Sequence, residues 1–191
     1  MDRFIYFLTH PEVVINPNIP ITDWSLSETG RLRVKSLLKS SWIKSIDSIY
    51  CSDETKATDT ADIIKTYLSV NYSKVAGLRE VDRSKTGYLS PERHKTIVEL
   101  FYAFPFESIF NRERAVDAQL RIVNALKNII YLEPRKKNIL IVSHGGVAAL
   151  LLAYVKKEKI SINFSQPNPN GGCFYVLNSD LSEILADWNV I

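Results

Sequence analysis

Ile139-Leu140-Ile141-Val142-Ser143-His144-Gly145-Gly146-Val147 couples an unbroken apolar run to a histidine and two glycines, then to a second apolar segment. Four consecutive apolar residues without polar alternation predict a strand covered on both faces, as in a parallel sheet. Val147, Leu150, Leu151 and Tyr154 continue at helical spacing, so the histidine and glycines form the turn between strand and helix. Ligands of open parallel sheets sit beyond the carboxyl ends of the strands, which is where His144 falls. The glycines permit close backbone approach, and a new helix offers free amides that suit an anion.

The same arrangement occurs at the start of the chain. Phe4-Ile5-Tyr6-Phe7-Leu8 is a second continuous apolar run, followed by Thr9-His10-Pro11-Glu12. The chain has three histidines, and two of them thus follow buried-type strands. If the strands are neighbours, both imidazoles reach one rim. The third, His94, lies in Pro91-Glu92-Arg93-His94-Lys95 and reads as a solvated helical position. Further strands are expected at Ile46 to Cys51 and Phe174 to Leu177, with an edge strand at Ile184 to Trp188. Helices are expected between them. The first is capped by Ser25 or Ser27 (Ser25 and Glu28 have capping-box spacing) and carries Leu32, Leu37, Leu38 and Trp42. The second carries Ala57, Ala61, Ile64 and Leu68. A third runs from Pro91, suited to a first turn, to Ala103. A fourth, from about Arg112 to Leu132, has Val116, Leu120, Val123 and Ile130 on one side. Strands alternating with helices predict an α/β fold with a mostly parallel sheet and helices on both faces. No repeat or linker divides the chain, so residues 1–191 read as one domain.

Composition narrows the function classes. The 191 residues are 46% apolar and 24% charged, with a formal charge of +3, which is ordinary for a folded globular chain. The one basic cluster, Arg135-Lys136-Lys137, precedes a strand and reads as a solvated loop, so no nucleic-acid partner is expected. No apolar stretch has membrane-spanning length and the N-terminus lacks a leader pattern, which predicts a cytoplasmic protein without a membrane partner. Cys51 and Cys173 lie in strand-like runs and read as buried free thiols. His10, Glu12 and His144 could in principle ligate a metal, but no paired-histidine helix or cysteine spacing supports one, and no metal site is expected.

Five landmarks in order carry a family resemblance. They are Leu8-Thr9-His10-Pro11-Glu12 with Asn16 beyond; Trp24-Ser25-Leu26-Ser27-Glu28-Thr29-Gly30-Arg31; Ile49-Tyr50-Cys51-Ser52 with Lys56-Ala57 and Thr60-Ala61; Leu78-Arg79-Glu80; and Val142-Ser143-His144-Gly145-Gly146-Val147. Together they resemble the histidine phosphatase superfamily, the phosphoglycerate-mutase-like phosphatases. The resemblance implies a three-layer αβα sandwich and a phosphohistidine mechanism without metal or organic cofactor. It implies His10 as nucleophile, His144 as its protonated partner, and Glu80 as the acid that protonates the leaving group and then activates water. It places Thr9, Asn16, Lys56 and Gly145 around the phosphoryl group, with Ser52 as a weaker candidate. The substrate class it implies is a small phosphorylated metabolite or a phosphoprotein; a mutase fits less well, since the family's mutases are usually longer.

The departures from the pattern are chemical. Thr9 and Lys56 stand where the family has arginines, and Pro11 where it has glycine. An arginine fork makes two parallel bonds to phosphate, a lysine is a point charge, and threonine has no charge. Arg83 together with Lys56 is the expected replacement cage, an ion pair of Arg83 with Asp82, Glu80 or Glu92 being its alternative. If nothing replaces the arginines, the scaffold would bind a phosphorylated ligand or regulate without turnover. Asp53 and Glu54 place two carboxylates beside an anion site, and the sequence assigns them no role. The aromatic-rich segment 90–114 is a candidate lid.

Overall fold

The computed structural model describes residues 3–134 and 136–191; Arg135 of the basic cluster lies outside them. Within the described residues β1 (Phe4–Thr9), β2 (Ser48–Cys51), β3 (Tyr72–Lys74), β4 (Ile139–Ser143), β5 (Cys173–Asn178) and β6 (Ile184–Val190) form one sheet in the order β3-β2-β4-β1-β5-β6. The four strands from β3 to β1 are parallel, and β5 pairs antiparallel with both β1 and β6. Helices α1 (Glu28–Leu37), α2 (Thr55–Leu68), α3 (Pro91–Ala103), α4 (Ala115–Leu132) and α5 (Gly145–Val155) flank it. This is the expected α/β sandwich with a mostly parallel sheet.

The two apolar runs are the central strands, and their side chains feed both layers, as the period of two requires. Ile5 and Phe7 of β1 and Ile139 and Ile141 of β4 pack with Ile122, Leu126 and Ile129 of α4 and Val147 and Leu151 of α5. Tyr6, Leu8, Leu140 and Val142 point the other way, onto Val34 and Leu37 of α1 and Ala57, Ala61 and Ile64 of α2. Phe101 and Tyr102 of α3 join Ala115, Ala118, Ala149 and Leu150 in a separate apolar cluster over α4 and α5. Burying each large side chain contributes about 1.5–3 kcal/mol, so α3 is held by a handful of contacts and the central layers by many more.

Several local expectations change. Ser27 caps α1, accepting from the Gly30 amide at 3.0 Å while its hydroxyl donates to Glu12 Oε1 at 2.6 Å; Ser25 does not. The inward face of α1 is Gly30, Val34 and Leu37, and Leu32 is exposed. On α4 the inward stripe is Ala118, Ile122, Val123, Ala125, Leu126 and Ile129, which includes the expected Val123, with Leu120 outside at 61% exposure. Small alanines complete that stripe; of the expected residues Val123 is buried and Ile130 packs at its edge, while Leu120 faces out. Strand β3, Tyr-Ser-Lys, has no apolar pattern to announce it. Among the described residues no helix is long and apolar enough to cross a membrane. Cys51 and Cys173 are buried and unpaired.

Candidate active site

β1 and β4 are adjacent and in register, Thr9 opposite Ser143, and the His10 amide donates to the Ser143 carbonyl at 3.0 Å. The residues that follow, His10 and His144, therefore leave the sheet side by side. Their rings meet edge to face with centroids 5.1 Å apart. Gly171 supports the turn from behind. Its φ of +66° and a Cβ position only 2.1 Å from the His10 carbonyl oxygen leave room for glycine alone.

The His10 ring is held in one tautomer. Its Nδ1–H donates to the Pro11 carbonyl at 2.9 Å, which leaves the Nε2 lone pair free. Burial and the Lys56 charge push its pKa down to about 3; the Pro11 bond opposes the shift and Arg83 adds to it. His144 is fully buried. Its Nε2 shares a 2.8 Å hydrogen bond with the Ser52 hydroxyl and lies 3.5 Å from Glu54 Oε1, while Nδ1 has no partner among the protein groups. Burial, then His10, Lys56, Arg83 and Arg121, disfavour its charged form. Burial above all, and then these charges, favour the neutral ring in the free site, where the sequence expectation was a protonated His144.

Glu80 is fixed by the backbone. Its Oε1 accepts from the Val81 and Val147 amides at 2.9 and 3.1 Å, and its Oε2 from Gly146 at 2.9 Å. The carboxyl group thus caps the first turn of α5. These amides were expected to be open to a phosphate; Glu80 occupies those of Gly146 and Val147. Arg121 clamps the preceding turn, donating to the carbonyls of Gly77, Arg79 and Glu80 while paired with Glu113 at 2.7 Å. A Cβ on Gly146 would lie 2.5 Å from Glu80 Oε1. Gly146→Ala should displace the carboxylate and lower kcat about 100-fold, the order expected of a 1 Å misplacement, with a smaller loss of melting temperature; comparing the two measurements checks it.

Glu54 and Asp53 now have roles. Glu54, 6% exposed, pairs with Lys56 Nζ at 2.5 Å and accepts the Glu80 amide at 2.9 Å. Asp53 makes a two-pronged pair with Arg79. Lys56 is 3% exposed, and its ammonium donates to Glu54 and to the Ile21 carbonyl at 2.8 Å. Its charge reaches His10, but it does not line the cavity expected of a phosphate ligand. Thr9 is also turned away. Fully buried, its hydroxyl donates to Gln166 Oε1 at 2.7 Å and accepts from the Cys173 amide at 3.0 Å. Asn16 stays out of the site as well; its Oδ1 accepts from the Asn18 amide and its carbonyl from Trp24 Nε1. Each of these three side chains has found a structural partner in place of a ligand.

His10 sits where two depressions meet, of about 400 and 480 Å³. Both are lined by Arg83, His94 and Gln166. The first also holds Glu80, Arg112, Gly145 and Gly146 and an apolar wall of Val98, Phe101 and Tyr102; the second holds Glu12, Ile21, Trp24 and Tyr88. Arg83 makes no ion pair among the described residues, so the alternative pairing with Asp82, Glu80 or Glu92 is absent there, and the side chain lines both depressions. His94 is a cavity residue, contrary to the solvated reading: it is half-buried and lines both depressions together with His10. Gln166 and Arg112 escaped the sequence reading because neither belongs to a local motif. A third depression, of about 830 Å³, lies behind the 80–84 segment. Of its lining charges Glu113, Arg121 and Arg79 are already paired, Arg83 is shared with the other two depressions, and no histidine lines it.

A model of the histidine phosphatase superfamily (branch 1) matches residues 5–188. The chain belongs to this superfamily. Solved histidine phosphatase structures superimpose along its whole length. A mycobacterial glucosyl-3-phosphoglycerate phosphatase aligns with a TM-score of 0.78 at 19% identity, covering 99% of this chain and 97% of its own. YhfR of Bacillus stearothermophilus aligns at 0.73 and 21%, covering 98% and 95%. A phosphoglycerate mutase from Bacillus anthracis aligns at 0.71 and 17%, covering 99% and 91%. At these identities the likeness shows the shared phosphoglycerate-mutase-like fold. No curated protein sequence matches the chain.

Proposed function

We propose that this histidine phosphatase superfamily member hydrolyses phosphate monoesters of a small metabolite or a phosphoprotein through a phosphohistidine on His10. The observation that carries the reading is the neutral, tautomer-fixed His10 ring in edge contact with buried His144. Nε2 of His10 attacks phosphorus in line, and the P–O bond to the leaving group breaks as Glu80 delivers a proton to that oxygen. Water then attacks the phosphoryl group, gives a proton to Glu80, and the P–N bond breaks to restore His10. The unpartnered His144 Nδ1 is the group beside His10 that can meet an equatorial oxygen. An incoming dianion offsets the cations that hold His144 neutral. Arg83 and the Gln166 amide, aimed by Thr9, are the further donors to the phosphoryl group in place of the arginines the family uses. Water and substrate reach the site without a metal in this scheme, and the setting is the cytoplasm.

A generic aryl phosphate and an alkaline quench test this directly: a phosphorylated histidine should be trapped on the parent protein. A regulatory, ligand-binding role is favoured by one observation, the diversion of Thr9 and Lys56 into structural bonds. It would be indicated by stabilisation with inorganic phosphate and no turnover across a broad ester panel.

The depressed His10 pKa gives a signed prediction. An ordinary imidazole would lose its nucleophilic form as pH falls through 6.5; here the neutral form persists toward pH 3. The kcat/KM profile reports groups of the free enzyme. Corrected for ionisation of the substrate, it should show no His10 limb between pH 5 and 7. A limb at pH 6.5 that vanishes in no other variant would contradict the assignment.

A further inference from the structure

Arg33 of α1 lines neither depression at His10, yet its guanidinium is committed to a segment that does. Nη2 donates to the Gly171 and Gly172 carbonyls at 2.7 and 3.1 Å. Nη1 donates to the Asn170 carbonyl at 3.3 Å and Nε to the Ile191 carbonyl at 3.4 Å. Arg33 forms no ion pair among the described residues, so its donors go to the backbone of one turn and the chain just past β6. The turn needs such a donor. Gly171 and Gly172 both have left-handed backbone, φ +66° and +64°, and Pro167 and Pro169 have no N–H, so the stretch cannot supply all its own donors. A planar fork reaches several carbonyls at once, where an ammonium is a single point charge.

The same stretch grips Thr9 and His10. The Gly172 amide donates to the His10 carbonyl at 3.0 Å, and the Cys173 amide to Thr9 Oγ1 at 3.0 Å. Thr9 Oγ1 in turn lies 2.7 Å from Gln166 Oε1 and 3.2 Å from the Cys173 carbonyl. The shorter contact has the usual length of an O–H···O bond and is short for N–H···O. The Thr9 proton therefore goes to Gln166, and the amide oxygen is the end that is held. Nε2 is the free end, and Thr9 is the one hydrogen-bond partner of this side chain among the described residues. Nε2 sits over the first residue of α5, where a Cβ on Gly145 would lie 2.7 Å from it. Gln166 lines both depressions together with His10.

His10 has further tethers of its own, its amide on the Ser143 carbonyl and its ring on the Pro11 carbonyl. The Gln166 amide has only Thr9 and the backbone that carries it. What Arg33 adds is thus the place of Gln166. The turn fixes where residue 166 stands, and Thr9 fixes which way its amide faces.

We propose that Arg33 is a positioning residue for the reaction: by holding the 170–172 turn it keeps Gln166 Nε2 at the phosphoryl group on His10, where the neutral amide stands in for the arginine absent at position 9. This rests on the phosphatase reading above. The test is a double-mutant cycle in kcat/KM on an aryl phosphate, with melting temperatures measured alongside. Gln166→Ala should lower kcat about 100-fold, as loss of one preorganised donor does. Arg33→Met keeps the stem without a donor and should lower kcat about tenfold, through misplacement, at a temperature where the protein is fully folded. Arg33→Lys should recover part of that loss. In the Gln166→Ala background Arg33→Met should cost little more, because the group it positions is gone. Losses that multiply independently, or parent kcat in an Arg33→Met protein that only melts earlier, would overturn the proposal. Thr9→Val keeps the shape and removes the hydroxyl, so it reads the same coupling from the other side if Arg33→Met does not fold. Its cost should likewise vanish in the Gln166→Ala background, and full independence there rejects the aimed amide.

A measurement without turnover separates this from the phosphatase reading. Inorganic phosphate titrated into isotope-labelled protein should shift the Gln166 side-chain amide resonance in the parent and much less in Arg33→Met. That result supports the positioning role even in a protein that hydrolyses no ester. No shift in the parent, or an equal shift in Arg33→Met, rejects it.

Discussion

His10→Ala should lower kcat on an aryl phosphate by about 10⁴-fold or more, the order seen when a covalent nucleophile is removed, and should leave no phosphohistidine to trap. The melting temperature should move little. The His10 side chain makes one hydrogen bond, to the adjacent Pro11 carbonyl, and the backbone link to Ser143 survives the substitution. Loss of activity with retained folding would place the chemistry on this ring. The strength of the prediction lies in the surroundings: nothing else at the junction of the two depressions presents an uncharged lone pair fixed by its own backbone. His94 also lines the cavity, but it belongs to the loosely held α3 layer. Activity surviving unchanged in His10→Ala would remove the phosphoenzyme from the mechanism.

Glu54→Ala should destabilise the fold by about 3–5 kcal/mol, since it strands Lys56 as a buried charge. For a chain of this size the melting temperature should fall by on the order of 10 °C. The pair is almost wholly removed from water, at 6% and 3% exposure, so solvent screening does not soften the loss. Glu54 has a second function that the alanine also deletes, acceptance of the Glu80 amide. Glu54→Gln separates the two: its carbonyl can still receive that amide, while the ion pair is gone. Replacing both partners, Glu54→Leu with Lys56→Met, should recover much of the stability, as apolar substitutes for buried ion pairs commonly do. Thermal melts of the parent, Glu54→Leu, Lys56→Met and the double variant form a double-mutant cycle. A cycle showing no coupling between positions 54 and 56 would mean the pair is not what holds this corner together.

How much of this was legible beforehand follows from where the information resides. The meeting of His10 and His144 was readable because two unbroken apolar runs must be covered on both faces, and such strands deliver their next residues to one rim. Glu80 was readable through its family landmark, though its grip on the α5 amides was not. Thr9, Asn16 and Lys56 were placed at the phosphate by position in that pattern. Changing arginine to threonine or lysine shortens or simplifies the side chain, and each then satisfies itself nearby, Thr9 on Gln166 and Cys173, Lys56 on Glu54 and Ile21. Glu54 looked like an isolated carboxylate because its three partners, Lys56, Glu80 and His144, are brought to it only by α2, the 80–87 loop and β4. Arg112 and Gln166 carry no periodicity or motif at all. Their significance is a matter of tertiary placement, as is that of His94, whose helix face looks polar until the cavity beneath it is seen.

The anchoring of Glu80 on the amides of Gly146 and Val147 has a consequence for how such a molecule can change over generations. His10 and His144 follow directly on β1 and β4, and the first turn of α5 holds the Glu80 carboxyl group through its amides. His94, Arg83 and Arg112 hang from a peripheral helix and two connecting segments that share few core residues with those elements. On the phosphatase reading proposed above, mutation can rework which ester is accepted, residue by residue, with His10 and His144 unchanged. The molecule is divided into an inherited engine and a replaceable inlet.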